Sequence, residues 1–161
     1  MILTLKTPPV SEPVSLQEVK DYMRVITSAE DTLINTLIIS ARKYIENYTG
    51  NLLGKQEWVL KWHTKNGQIY LPYIPILEIV SVKDKDNKEV DYRVVYGSEP
   101  MIIETPTYEV EIDFWAGWED IPETFKLAIL RIITFYFENR LVEKLPVEIT
   151  ESLNQLRMWK I

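Results

Sequence analysis

The chain has 161 residues, enough for one domain, and its 46% hydrophobic and 26% charged residues are typical of a globular protein. A net charge of −6 and a pI of about 4.9 argue against a protein that wraps nucleic acid by neutralising its phosphates. Because the sequence contains no cysteine, disulfides, zinc–thiolate sites and thiol nucleophiles are excluded together. The first residues have neither the basic region nor the apolar run of a signal peptide, so we expect a protein that is made and used inside the cell.

The N-terminal third is predicted to hold an extended arm followed by two helices. Three prolines among the first fourteen residues disfavour helix there. A capping box at Ser15–Glu18, with serine at the N-cap and glutamate three residues later, predicts a short helix to about Val25. A second helix is predicted over Glu30–Thr49, because apolar residues recur at helical spacing and a glycine follows as the C-terminal cap.

The middle of the chain is predicted to be an antiparallel β region, because the apolar residues change from helical to alternating spacing after Gly50. The segments with this pattern are Gln56–Trp62, Gln68–Leu71, Ile76–Lys83, Tyr92–Val95, Met101–Ile103 and Tyr108–Trp115. Helices flank this region in sequence. The predicted fold class is therefore α+β, a small bundle of about four helices with an antiparallel β lobe inserted between the second and third helices.

The segment Ile121–Arg140 is predicted to be a helix whose surface is apolar almost all the way round. The exceptions gather into one polar stripe of Thr124, Arg131, Thr134 and Glu138. Such a helix must be covered on most sides, so it is either the central helix of a small core or is partly covered by a second subunit. Its charged residues interrupt any apolar run long enough to cross a bilayer, so we expect no membrane contact.

A last short helix is predicted after Pro146, from Ile149 or Thr150 to about Trp159. We expect residues 1–161 to form a single domain, with its helical part at about 15–50 and 120–160 and its β lobe at about 55–118.

Three carboxylates are predicted to lie on one face of the last strand. Glu109, Glu111 and Asp113 alternate with apolar residues, and successive side chains of a strand point to opposite faces. One interpretation is a solvated acidic face whose charges pair with lysine or arginine on a neighbouring strand, which is normal for a half-exposed strand. The other is a negative wall that faces DNA or a partner.

No motif in the sequence points to catalysis. The only histidine, His63, has no obvious carboxylate or cysteine partner in the pattern. The sequence has no glycine-rich phosphate loop, no G-x-S-x-G elbow and no H-E-x-x-H pair. We therefore predict no catalytic residues, no metal site, no cofactor and no enzymatic activity.

Three motifs in order resemble those of the head–tail connector proteins of long-tailed bacteriophages, also called adaptor or DNA-packaging proteins. They are PVSLQEVKDYMRV in the first helix, YIENYTG at the end of the second helix, and AGWEDIPETFKLAILRIITFYFENR from the last strand into the apolar helix. Each motif alone describes packing and capping, and it is their order that carries the resemblance. It covers nearly the whole chain, from Pro13 to about Trp159.

The resemblance implies a structural protein of the virion neck that is present in the host cytoplasm during assembly. Copies of the chain would form a cyclic, dodecamer-like ring below the portal protein, extend the DNA channel and dock a tail-completion or stopper protein. DNA would pass through without specific binding, and the three carboxylates are candidate channel-facing residues. The candidate subunit interface is Tyr44, Tyr48, Phe135, Tyr136 and Arg140. The alternative is a monomeric or dimeric non-enzymatic binding module, such as an assembly chaperone or a host-factor adaptor, in which the apolar helix is simply the core.

Overall fold

The computed structural model describes residues 1–64, 67–95, 97–98, 101–139 and 144–157. The helices in this part of the chain are α1 (Leu16–Met23), α2 (Asp31–Thr49), α3 (Glu123–Glu138) and α4 (Val147–Asn154). The strands are β1 (Ile2–Thr7), β2 (Gln56–His63), β3 (Gln68–Tyr70), β4 (Ile76–Asp84), β5 (Arg93–Val95), β6 (Ile102–Glu104) and β7 (Glu109–Ala116). The predicted α+β class is confirmed, and strands β2 to β7 all begin and end within about one residue of their predicted bounds.

The helix ends follow the local signals in the sequence. The Ser15 hydroxyl accepts a hydrogen bond from the Glu18 backbone N–H (3.2 Å), and the Glu18 carboxylate accepts one from the Ser15 N–H (2.7 Å), which completes the capping box. Helix α2 ends at Gly50, whose φ of +78° lies in the left-handed region that glycine adopts freely. Helix α4 begins directly after Pro146, earlier than predicted, and its predicted end near Trp159 lies outside the described residues.

Helix α3 is the central helix of a helical core. It packs against α1, α2 and α4. Its buried residues are Phe125, Ala128, Ile129, Ile132 and Ile133. On the opposite side Leu127 is left 41% exposed, next to the predicted polar stripe. Other helices of the same chain therefore cover most of the apolar surface of α3.

The β lobe consists of two antiparallel sheets packed face to face. The larger sheet has the strand order β1-β2-β7-β4 and the smaller one has the order β3-β6-β5. Leu60, Ile112 and Phe114 from the larger sheet meet Ile69 and Ile103 from the smaller one, and all five are completely buried. The lobe thus has an apolar core of its own, separate from that of the helices.

The N-terminal arm is extended, as predicted, and its residues 2–7 also form strand β1 at the edge of the larger sheet, which was not predicted. Its residues pair with β2 in antiparallel register, from Ile2 opposite Lys61 to Thr7 opposite Glu57. The ILTL run that precedes the prolines has the β-branched and apolar composition of a strand. Its partner lies some fifty residues away in the chain, which no local pattern could indicate.

The helical core and the β lobe are joined where three chain segments cross. The Leu52 N–H donates to the Ile74 carbonyl (3.0 Å), and the Trp118 N–H donates to the Leu52 carbonyl (2.9 Å). Gly117 lies at this crossing with a φ of +118°, and a Cβ on it would come 2.0 Å from the Gly54 carbonyl oxygen. Only glycine fits there. In the described part of the chain, no helix has both the length and the apolar character of a bilayer crossing.

Candidate interaction surfaces

A buried glutamate at the end of α2 connects the helices to the β lobe. One Glu46 carboxylate oxygen accepts hydrogen bonds from the Leu53 N–H (2.9 Å) and the Gln56 amide (2.8 Å), and the other accepts from the Arg42 guanidinium (2.9 Å). Arg42 also donates to Glu12, at 2.7 and 3.2 Å, and so holds the arm. Burial raises the pKa of Glu46, while its donors act in the opposite direction. Three parts of the fold therefore meet at one carboxylate.

We call the group of Glu12, Arg42, Glu46 and Gln56 the clamp. The sequence did not predict it, although the spacing of Arg42 and Glu46 indicated part of it. Arg42 and Glu46 are four residues apart, which places them on one face of a helix. Their position between apolar residues of α2 indicates burial, and both side chains are only 8% exposed. Their partners at Glu12 and Gln56 are not detectable from spacing.

Four of the five predicted interface residues lie in one aromatic cluster. Tyr44 and Tyr48 stack along α2 with ring centroids 6.0 Å apart, and Phe135 packs edge to face on Tyr136 at 5.6 Å. Burial, together with the nearby Tyr136 and Tyr48, raises the pKa of Tyr44. The fifth residue, Arg140, lies outside the described residues.

The structure leaves this cluster half-buried. Tyr44, Tyr48 and Tyr136 pack against the helical core, and the Tyr48 hydroxyl donates to the Asn154 side chain at 2.6 Å. Phe135 is half-buried on α3. A role for these residues in a subunit interface stays a prediction.

The three predicted carboxylates share the outer face of the larger sheet, which points away from the smaller sheet. Glu109 is exposed, Glu111 is partly exposed, and the Asp113 side chain is 15% exposed. The alternating apolar residues of β7 point to the opposite face and form part of the lobe core, as period two predicts.

Lysines on other strands of the sheet pair with two of these carboxylates. The Lys61 ammonium lies 2.7 Å from Glu111, and the Lys6 ammonium lies 2.6 Å from Asp113 and 2.7 Å from Glu57. The hydrogen bond from Lys6, followed by that from Thr7, lowers the pKa of Glu57. The outer face therefore carries charges of both signs, the arrangement expected of a solvated face. A channel-facing role for its carboxylates stays a prediction.

The two edges of the larger sheet carry exposed apolar side chains. On β1, Ile2 is 63% exposed and Leu5 is 42% exposed. On β4, Leu77 is 40% exposed and Val80 is 48% exposed, each at an irregularity in the pairing with β7. Sequence reasoning did not single out these residues, because an edge strand is recognised only once the strand order is known.

The described residues do not form a metal centre. Among them, no group of three or more histidine, aspartate or glutamate side chains is arranged to hold a metal ion.

Solved structures from phage-like particles have the same fold. A chain from the neck of an empty gene transfer agent (GTA) particle, computed with C6 symmetry, matches with a TM-score of 0.82 at 20% identity. A chain from the virion of a native GTA particle matches with a TM-score of 0.78 at 21% identity. A chain from the neck of a native GTA particle, computed with C12 symmetry, matches with a TM-score of 0.73 at 19% identity. Each match covers 100% of this chain and 97% of the other.

The family comparison agrees with the order of motifs in the sequence. No curated protein sequence matches the chain. The family model of head completion proteins matches residues 12–146, which include helices α1 to α3 and strands β2 to β7. This confirms the resemblance to the head–tail connector and completion proteins of bacteriophages. The chain belongs to the head completion protein family.

Proposed function

We propose that this protein is a structural component of the neck of a phage particle, where copies of it form a ring between the portal protein and the tail. The observation that carries the proposal is the match to chains from GTA necks over the full length of this chain. The shared fold extends over all of this chain, so the proposal concerns its helical core and its β lobe alike. The ring would extend the DNA channel and dock a tail-completion or stopper protein.

The same comparison supports a ring, and we propose that it holds about twelve copies. The matched necks were computed with C6 and C12 symmetry, and rotational symmetry of this kind arises from heterologous interfaces that close on themselves. A dodecamer would place the same surface of each copy around the channel, so that any charge on that surface is repeated twelve times.

The charge of the chain suits a conduit that DNA passes without binding. A net charge of −6 repels phosphate, and the lysines of the outer face at Lys6 and Lys61 are already paired with carboxylates. These ion pairs leave Lys6 and Lys61 less available to the DNA backbone. We further propose that the protein acts without catalysis, as is expected of a structural completion protein.

Electron microscopy of this protein mixed with the portal protein of the same phage tests the proposal. We expect an additional ring on one end of the portal, and averaged images should show its rotational symmetry. A protein that stays monomeric or dimeric and never binds the portal would contradict the proposal. That result would support the alternative, a non-enzymatic binding module such as an assembly chaperone.

A further inference from the structure

We propose that copies of this chain join edge to edge, with strand β1 of one copy beside strand β4 of the next, so that the larger sheet continues from subunit to subunit. The inference rests on the ring proposed above and names the surface that forms it. In the described residues, neither Ile2–Thr7 nor Ile76–Ser81 has a strand on its outer side. Only the end of β4 is covered, where the Val90 N–H donates to the Val82 carbonyl (3.0 Å).

The strand directions allow this sheet to continue into the next copy. Neighbouring strands in the order β1-β2-β7-β4 are all antiparallel, so β1 and β4 run in opposite directions. A copy rotated about an axis along the strands therefore presents its β4 antiparallel to β1, as in the rest of the sheet. Because the two edges differ and lie on opposite sides of the subunit, the contact is heterologous and repeats until a ring closes.

The exposed apolar side chains of the two edges match in spacing. Ile2 and Leu5 are three positions apart on β1, and Leu77 and Val80 are three positions apart on β4. In antiparallel pairing, the register that sets Leu5 opposite Leu77 also sets Ile2 opposite Val80. One register thus brings the four side chains together as two cross-strand pairs and covers part of their exposed apolar surface, which favours association.

The charges of the two edges are complementary in the same register. Lys6 is the charged residue of β1, and Glu78 is the charged residue of the uncovered part of β4. The register places Glu78 opposite Thr4, and Thr4 is two positions from Lys6 on β1. Glu78 and Lys6 would therefore be diagonal neighbours, at a distance that long side chains span. The Lys6 side chain is 49% exposed beside its present partners, and Glu78 is exposed.

Irregularities on both edges explain how single copies avoid uncontrolled pairing. The register with neighbouring strands shifts at Lys6 on β1 and at Leu77 and Val80 on β4. Bulged edges pair poorly with arbitrary strands, and natural proteins use them to prevent aggregation. Pairing would then form where the portal holds copies side by side.

Disulfide trapping in the assembled ring tests the register, because the chain has no cysteine of its own. The variant Leu5→Cys/Leu77→Cys, assembled on the portal protein and oxidised, should give a ladder of covalent multimers on a non-reducing gel. Within one copy the two cysteines lie on opposite edges, about 14 Å apart at three strand spacings, too far for a disulfide. The matched control Leu5→Cys/Val80→Cys is three residues out of register, about 10 Å along the strand, and should give at least about tenfold less multimer.

A second variant separates loss of assembly from loss of folding. Val80→Lys should leave the thermal midpoint of the isolated protein unchanged, because this side chain is half exposed, and it should abolish the ring on the portal. Suppose that the wild-type protein forms rings but Leu5→Cys/Leu77→Cys gives no ladder, or that a folded Val80→Lys protein forms normal rings. Either result would overturn the edge pairing and leave the neck function standing. Failure of the wild-type protein to form rings would overturn both.

Discussion

Removal of the Glu46 carboxylate is predicted to destabilise the whole protein, because this group links the arm, α2 and the β lobe. In Glu46→Ala, the Leu53 N–H and the Gln56 amide both lose their acceptor in positions that are at most 1% exposed. Arg42 loses one carboxylate and retains Glu12. The small alanine side chain leaves no polar atom near these donors.

The size of the effect follows from the number of donors left without an acceptor. Each buried donor without a partner costs about 1–3 kcal/mol, and the loss of one partner of a buried ion pair costs about 3–5 kcal/mol. These terms overlap, so we expect Glu46→Ala to lower the free energy of unfolding by about 3–5 kcal/mol. This is a large part of the roughly 5–15 kcal/mol that stabilises a typical domain. Glu46→Gln keeps one carbonyl acceptor and should lose less, about 1–2 kcal/mol.

Urea unfolding followed by circular dichroism measures these differences. Glu123→Ala is the matched control, because it removes an exposed glutamate that pairs with Lys126 at 2.8 Å on the surface of α3. Such an exposed pair contributes little to stability. If Glu46→Ala loses no more stability than Glu123→Ala, then water or a rearranged Arg42 replaces the carboxylate, and the clamp does not hold the two cores together.

Other positions test the core, the crossing and the edge strand. In urea unfolding, Ile132→Ala should lower the free energy of unfolding by about 2–5 kcal/mol, because Ile132 is 1% exposed. Leu127→Ala, on the exposed side of the same helix, should lower it by less than about 1 kcal/mol. Equal losses would mean that α3 is not the core helix. Gly117→Ala should cost about 4 kcal/mol or more, and Gly97→Ala, with nothing within 4 Å of its Cβ, about 1 kcal/mol. Because the Glu57 pKa is lowered from 4.5, its contribution to stability is fully present above about that pH and is lost as the pH falls from there through the lowered pKa. The advantage in thermal midpoint of wild type over Glu57→Gln should therefore shrink between about pH 6 and about pH 3, and a constant difference would contradict the Lys6 pairing.

The elements that the sequence predicts well are those whose signals are local. The capping box at Ser15 and the glycine at position 50 set helix ends through bonds to residues three or four positions away. Strands β2 to β7 have alternating apolar residues between turn signals, and they were predicted within about one residue. The carboxylate face of β7 also follows directly from period two.

The features that were not predictable depend on which distant segments meet. Lys6 pairs with Asp113 across 107 positions, and strand β1 becomes an edge only because β2 lies between it and β7. No spacing rule reports either fact. The partners of Arg42 and Glu46 are likewise fixed by the crossing near Leu53, where the lobe meets the helices.

The covering of α3 within a single copy changes where the ring interface should be sought. The sequence alone allowed a second subunit to cover this helix, but α1, α2 and α4 already bury its core side. Substitutions inside α3, such as Ile132→Ala, should therefore weaken assembly only as far as they weaken folding. Substitutions at the exposed sheet edges, such as Val80→Lys, should weaken assembly at an unchanged thermal midpoint. Ring formation can be plotted against the free energy of unfolding for the α3 variants and the sheet-edge variants together. The core variants define a line, and only variants at the subunit interface should fall below it.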